Sequence, residues 1–220
     1  GLDAFSLDEL SVLTNMTVEG GLMTGTVEPC KAIRTFLTDV RGGFDESTMV
    51  YADEGATYTR TMSINLDDVA VTVATPGDSR NRAPLSAHTD VAIDNVVIAS
   101  CTGGSVADIR AAVEVLGDHQ VKEGVRLIVT PSSVAVERES EELGYLATLR
   151  AAGAIITPPG CGSCIGNGPG VPPEGSTTAS TTNRNFARRM GGPGDVYLVS
   201  PAVAAACAIT GKLTDPRDLV

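Results

Sequence analysis

The spacing of apolar positions changes along the chain, and each change marks a different element. In residues 30–40, CKAIRTFLTDV, apolar residues fall at Ile33, Phe36, Leu37 and Val40, the interval of a helical face. Residues 68–76, DVAVTVATP, alternate Val69, Val71 and Val73, which predicts a strand. The following GDSRNRAP, rich in Gly, Pro and polar residues, predicts a loop. From about residue 91 the pattern becomes regular. VAIDNVVIAS contains a β-branched run that predicts a buried strand over 94–100. In SVADIRAAVEVLG, Ser105 and Asp108 are spaced as a capping box, and Val106, Ile109, Val113 and Leu116 share one helical face. RLIVT (126–130), AIIT (154–157) and YLVS (197–200) predict strands. Residues 133–152 and PAVAAACAITG (201–211), with Pro201 at its start, predict helices. Alternating strands and helices predict an α/β fold. The expected architecture is a three-layer αβα domain with a mainly parallel sheet over residues 66–220, preceded by a smaller α/β domain over 1–65.

Composition narrows the function. The chain has 220 residues, 42% of them hydrophobic, enough for a real core. The formal net charge of -11 argues against a nucleic-acid-binding surface. No apolar run is long enough to cross a bilayer, and GLDAFSLDEL lacks the basic start and apolar centre of a signal peptide. Five cysteines, an odd number irregularly spaced, point to a reducing, cytoplasmic setting in which special cysteines act as ligands or nucleophiles.

The chemistry concentrates in PPGCGSCIGNGPG, residues 158–170. Cys161 and Cys164 follow the predicted strand at 154–157, and Cys101 follows the one at 94–100. Ligands of parallel sheets bind at the carboxyl ends of strands, so the three cysteines are expected at one sheet edge. A zinc site would need a fourth ligand, and Cys30, Cys207, His88 and His119 are the candidates, none in a site-like context. A redox pair would want its CxxC at the start of a helix, which this Gly- and Pro-rich run does not favour. A cubane iron–sulfur cluster with three thiolates and one open iron is the third reading. Spacing alone does not choose between cluster and zinc or structural cysteines. Cys207, in a small-residue helix, reads as a buried hydrophobe, and Cys30 as structural. His88 and His119 read as solvated, and ERESEE (137–142) as a solvated helix face.

Three blocks, IASCTGG (98–104), PGCGSCIGNG (159–168) and TTNRNFARRMGG (181–192), resemble the signature blocks of the aconitase and isopropylmalate dehydratase family. LTNMTVEGGLMTG (13–25), YADEGATY (51–58) and SPAVAAACAITGKLTDPR (200–217) match further blocks in the same order. The likeness is to the large-subunit type. It implies an aconitase-like fold and a hydro-lyase that isomerises a hydroxy di- or tricarboxylate, such as 3-isopropylmalate in leucine biosynthesis, by dehydration and rehydration. It implies a [4Fe–4S] cluster on Cys101, Cys161 and Cys164, with Asn15 and Asn183 beside it. Glu19 is implied at the open iron with the substrate hydroxyl, and Arg184 and Arg189 at substrate carboxylates, where guanidinium groups make bidentate contacts. Asn185, on the other side of Arg184, is a further candidate for contact with cluster or substrate. The family's base is a serine on a small swivelling subunit, which would be a separate partner here. The family's N-terminal domain, with its Asp–His pair, has no match in this chain and would be a further partner. That gap also admits a non-catalytic cluster-binding or assembly component, or an inactive fragment. Gly103 stands where the family usually carries an asparagine.

Overall fold

The computed structural model describes residues 1–219. The chain forms two compact units, Gly1–Val69 and the part from Ala70 onward.

The first unit holds two α-helices, α1 (Leu7–Met16) and α2 (Lys31–Arg41). Ser6 and Glu9 close a reciprocal capping box at the start of α1. The expected smaller α/β domain is absent as such: among its described residues this unit has no strand. Its buried hydrophobic residues are Leu10 and Cys30, while Phe36 and Val40 of the amphipathic α2 are 44% and 64% exposed. Two short helices cannot cover each other's apolar faces.

The second unit is a seven-stranded sheet in the order β2-β1-β7-β6-β3-β4-β5. Its strands are β1 (Thr72–Ala74), β2 (Arg82–Pro84), β3 (Asn95–Ala99), β4 (Arg126–Thr130), β5 (Ile155–Ile156), β6 (Thr177–Ser180) and β7 (Asp195–Leu198). The run from β7 to β5 is parallel; β1 and β2 add antiparallel pairs at one edge. Four helices follow the strands: α3 (Val106–Leu116), α4 (Val134–Glu142), α5 (Tyr145–Ala151) and α6 (Pro201–Thr210). The predicted capping box of Ser105 and Asp108 forms, and Pro201 occupies the first turn of α6.

Two segments depart from the sequence pattern. β2 lies in the predicted loop, as a short edge strand paired to β1. β6 carried no apolar signal, because its buried residues are Thr178, Ala179 and Ser180.

The helices do not cover both faces. One large core joins Ile109 and Leu116 of α3, Leu146 and Leu149 of α5 and Val203, Ala204, Ala205, Cys207 and Ala208 of α6 to Val96, Ile98, Leu127 and Val129 of the sheet. The opposite face holds a small cluster of Val97, Ala99, Val196 and Leu198, closed by Met190 from a loop. The expected third layer is therefore built of loops. Connectivity explains this. From β3 the chain steps one way, through helices, to β4 and β5. From β5 it returns past β4 and β3 to β6, then moves on to β7. Right-handed crossovers in opposite directions use opposite faces, and both return connections lack an α-helix.

Candidate functional site

The direction of winding reverses between β3 and β6, neighbours in the sheet. Such a switch point opens a crevice at the carboxyl ends of the strands. Cys101 follows β3, and Thr181, Thr182, Asn183 and Arg184 follow β6.

Local chemistry shapes the first loop. Ser100 takes a left-handed turn (φ 75°) although it is not glycine. It is buried, whereas Cys101 beside it is exposed. Such strain persists only where surrounding bonds fix it. Here the Thr102 N–H donates to Ser100 Oγ (3.3 Å), and Thr102 Oγ1 donates to the Thr181 carbonyl (3.0 Å). Thr181 Oγ1 accepts from the Ala99 N–H (2.9 Å) and lies 3.2 Å from the Gly103 carbonyl. The loop carrying Cys101 is thus tied to the end of β6.

The second loop is tied to β4. The Gly160 N–H donates to the Pro131 carbonyl (2.9 Å), and Thr130 Oγ1 pairs with Thr157 Oγ1 at 2.6 Å. Cys161 caps a single 3-10 turn, Gly162–Ile165, and its carbonyl accepts from the Cys164 N–H (3.0 Å). Cys161 is exposed and Cys164 buried. The turn ends at Gly166, where the third loop crosses. A Cβ on Gly191 would lie 2.6 Å from the Gly166 carbonyl oxygen, and both residues have positive φ. Only two glycines permit this approach.

That crossing brings Cys164 to the arginine block. Its Sγ lies 3.6 Å from Asn183 Oδ1. Burial pushes the Cys164 thiol above its ordinary range; the Arg189 charge and the Asn183 backbone N–H pull it back, and the proximity of Cys101 raises it further. Arg189 is half-buried, with its guanidinium 5.9 Å from the Phe186 ring and its Nε buried without a hydrogen-bond partner. A donor in that state is poised for a ligand oxygen.

Asn183 and Arg184 are half-buried within the same block. Asn185 is held by sheet backbone, while its Oδ1 is buried without a hydrogen-bond partner. It is 3% exposed, and its amide donates to the carbonyls of Ala74, Thr75 and Val196 at 3.3, 2.8 and 3.0 Å. Arg188 is exposed with φ 63°. Sequence reasoning missed Thr181; its signal was the Thr-Thr at the end of a polar strand that had itself gone unread. Asn15, in the last turn of α1, and Glu19, in the turn beyond, belong to the first unit and are half-buried.

No three His, Cys, Asp or Glu side chains among the described residues are gathered as ligands of one ion. Of the fourth-ligand candidates for zinc in this unit, Cys207 is fully buried in the helix-side core, His119 is exposed beyond α3, and His88 packs near Tyr197. A cubane cluster asks for something else: one thiolate per iron, spread around its periphery. Three thiols on glycine-rich loops, a backbone N–H facing Cys164 sulfur and an unmatched buried guanidinium N–H fit that group.

The site thus lies on loops at a topological switch point of an α/β domain and carries both thiols and arginines. Comparison with known proteins makes the assignment specific. The sequence pattern of the aconitase family (aconitate hydratase) matches residues 86–211, more than half of the chain. The chain belongs to the aconitase family. It is 38% identical to the 3-isopropylmalate dehydratase large subunit of Lachnoclostridium phytofermentans, over all of this chain and 52% of that protein. It is 39% identical to large subunit 1 of the same enzyme from Pyrococcus furiosus, over 100% of this chain and 52% of the relative. For large subunit 1 from Deinococcus radiodurans the figures are 40%, 99% and 49%. The chain therefore spans about half the length of these relatives. No helix among the described residues is long and apolar enough to cross a membrane.

Proposed function

We propose that this chain is a component of a hydro-lyase that dehydrates and rehydrates a hydroxy di- or tricarboxylate of the 3-isopropylmalate type. The observation that carries this reading is the meeting of Cys164, Asn183 and Arg189 at the carboxyl edge of the sheet, in reach of the Cys101 charge. The reading places a [4Fe–4S] cluster on Cys101, Cys161 and Cys164. When bound, such a cluster offers a Lewis-acidic iron that polarises a hydroxyl.

The chain's own residues divide the remaining work. Arg189 presents its buried Nε–H to a substrate carboxylate, which satisfies that donor and fixes the substrate's orientation. Arg184 holds a second carboxylate. Asn183 supports Cys164 through its backbone N–H, with its side-chain amide beside the sulfur. Glu19 is assigned to the substrate hydroxyl, and Asn15 to the side of the cluster. The base that takes the proton from the neighbouring carbon is a serine on a small subunit, and the half of the relatives outside this chain supplies further groups. General acid–base groups contribute roughly 10²–10⁴-fold each, so the chain alone turns over little substrate. The relatives' names as large subunits support the need for a partner chain.

Anaerobic reconstitution with iron and sulfide tests the reading. A broad visible absorption, and a three-iron paramagnetic signal after oxidation, are expected. Each of Cys101→Ala, Cys161→Ala and Cys164→Ala should lower bound iron. Unchanged iron content in all three variants overturns the cluster assignment. A cluster that forms, with no turnover when both partner polypeptides are present, makes the chain a non-catalytic cluster-binding component instead.

A further inference from the structure

β3 and β6 are neighbouring parallel strands, and the chain leaves both in the same way. In Ser100-Cys101-Thr102, Ser100 Oγ accepts from the Thr102 N–H at 3.3 Å and lies 2.9 Å from Thr102 Oγ1. In Ser180-Thr181-Thr182, Ser180 Oγ accepts from the Thr182 N–H at 3.3 Å and lies 2.9 Å from Thr182 Oγ1. Short hydroxyl side chains close such local turns with nearby backbone. Each clasp holds one residue at its centre. In the first that residue is Cys101, which is exposed. In the second it is Thr181, which is 3% exposed.

The second clasp grips the first. The Thr181 N–H donates to the Val97 carbonyl (3.0 Å), so the pairing with β3 runs one residue beyond β6. Thr181 Oγ1 accepts from the Ala99 N–H (2.9 Å), and its single hydrogen faces the Ala99 and Gly103 carbonyls (3.1 and 3.2 Å). The Thr181 carbonyl accepts from Thr102 Oγ1 (3.0 Å). That engages the one hydroxyl hydrogen of Thr102, so the Ser100 hydroxyl is the donor in its pair with Thr102. Thr181 thus bonds backbone on both sides of Cys101 and completes a directed chain of hydroxyls around it.

We infer that Thr181 is a positioning residue for cluster capture. It presets the turn that carries Cys101 and keeps that thiol in register with Asn183 and Arg184, which follow Thr181 in the same strand end. A thiol on a turn that is already ordered loses less conformational entropy on meeting a metal than one on a loose loop. This inference rests on the reading of Cys101 as a cluster ligand.

The test is anaerobic reconstitution of the full chain with ferrous iron and sulfide. It follows the rate of cluster formation and the three-iron signal after oxidation. Thr181→Val keeps the side-chain shape and removes the hydroxyl. It should slow cluster formation by about fivefold or more, the scale of an unmet buried hydrogen bond, and broaden the three-iron signal at matched iron content. Thr181→Ser keeps the hydroxyl and should restore the signal, with a rate within about twofold of wild type. Thr178→Val removes another buried hydroxyl from β6, beside the start of β3 and away from these loops. It should alter neither readout, even where denaturant melts show it equally destabilised. Should Thr181→Val not fold, Thr102→Val cuts the same tie from a half-buried position and should slow formation about threefold or more. Wild-type rate and signal in Thr181→Val, or in Thr102→Val where it stands in, overturn the proposal. Equal slowing by Thr178→Val, or no rescue by Thr181→Ser, does the same. A wild-type chain that assembles no cluster overturns the reading of Cys101 as a ligand, and this proposal with it.

Discussion

Gly103 and Thr181 share one space: a Cβ on Gly103 would lie 2.2 Å from both Cβ and Oγ1 of Thr181. Thr181 uses that space to bracket the Cys101 loop, accepting from the Ala99 N–H and reaching the Gly103 carbonyl. The asparagine usual in the family at this position does not fit beside Thr181 in this arrangement. Gly103→Asn should lower stability by about 1–3 kcal/mol, the range for overpacking. Denaturant melts of the cluster-free protein check this. An unchanged midpoint would show that the loop relaxes around the larger residue at no cost.

Asn185 pins the arginine loop to the sheet. Its amide serves three backbone carbonyls, on β1, just beyond β1 and on β7. Asn185→Ala leaves those acceptors without it and should cost about 1–3 kcal/mol. Asn183→Ala should cost less stability but lower cluster retention. Equal stability of the two variants in melts would contradict this division between structural and site asparagine.

Arg189 and Arg188 are adjacent and differ in burial. Arg189 has a buried, unmatched Nε–H; Arg188 is exposed. Arg189→Lys should cost about 2–5 kcal/mol of transition-state binding in the assembled enzyme, the range for truncating one partner of a buried charge pair. An ammonium cannot reproduce the planar fork. Arg188→Lys should be silent. The measurement is kcat/KM at matched cluster content, and normal kinetics for Arg189→Lys would remove its carboxylate role.

Cys207 supplies a pH dependence. Burial in the α6 core pushes its thiol from 9.0 up to about 12, opposed slightly by the Thr214 backbone N–H. The folded state therefore favours the neutral thiol. The stability linked to this is complete below pH 9 and is lost as pH rises from 9 toward 12. Wild-type protein should lose more stability between pH 8 and pH 10 than Cys207→Ala, in paired denaturant melts. Iodoacetamide should label Cys207 only on unfolding.

How much was legible in the chain depended on apolar periodicity. β3, β4 and the helices α3 and α6 were readable because their cores are continuous β-branched runs or helical stripes. β6 was not, since a central strand of Thr, Ala and Ser is buried through hydrogen bonds and close packing. The helix-free third layer was hidden for another reason. Which face a connection crosses follows from strand order, and strand order has no local signature. The cysteine and arginine blocks were legible by resemblance, which set Asn183 beside the cluster and left Asn185 as a further candidate. Only the fold turns one toward Cys164 and the other into the sheet.

The sheet keeps its two faces for separate tasks. Nearly all of the hydrophobic core lies on the helix side, and Cys164, Asn183 and Arg189 meet on loops beyond the carboxyl ends of the strands. Selection on one face is thus largely decoupled from selection on the other. The loops can drift to another acid, or lose chemistry altogether, while the scaffold still folds. A descendant without its cysteines would persist as an ordinary α/β protein, with only an unusually polar set of loops to record its ancestry.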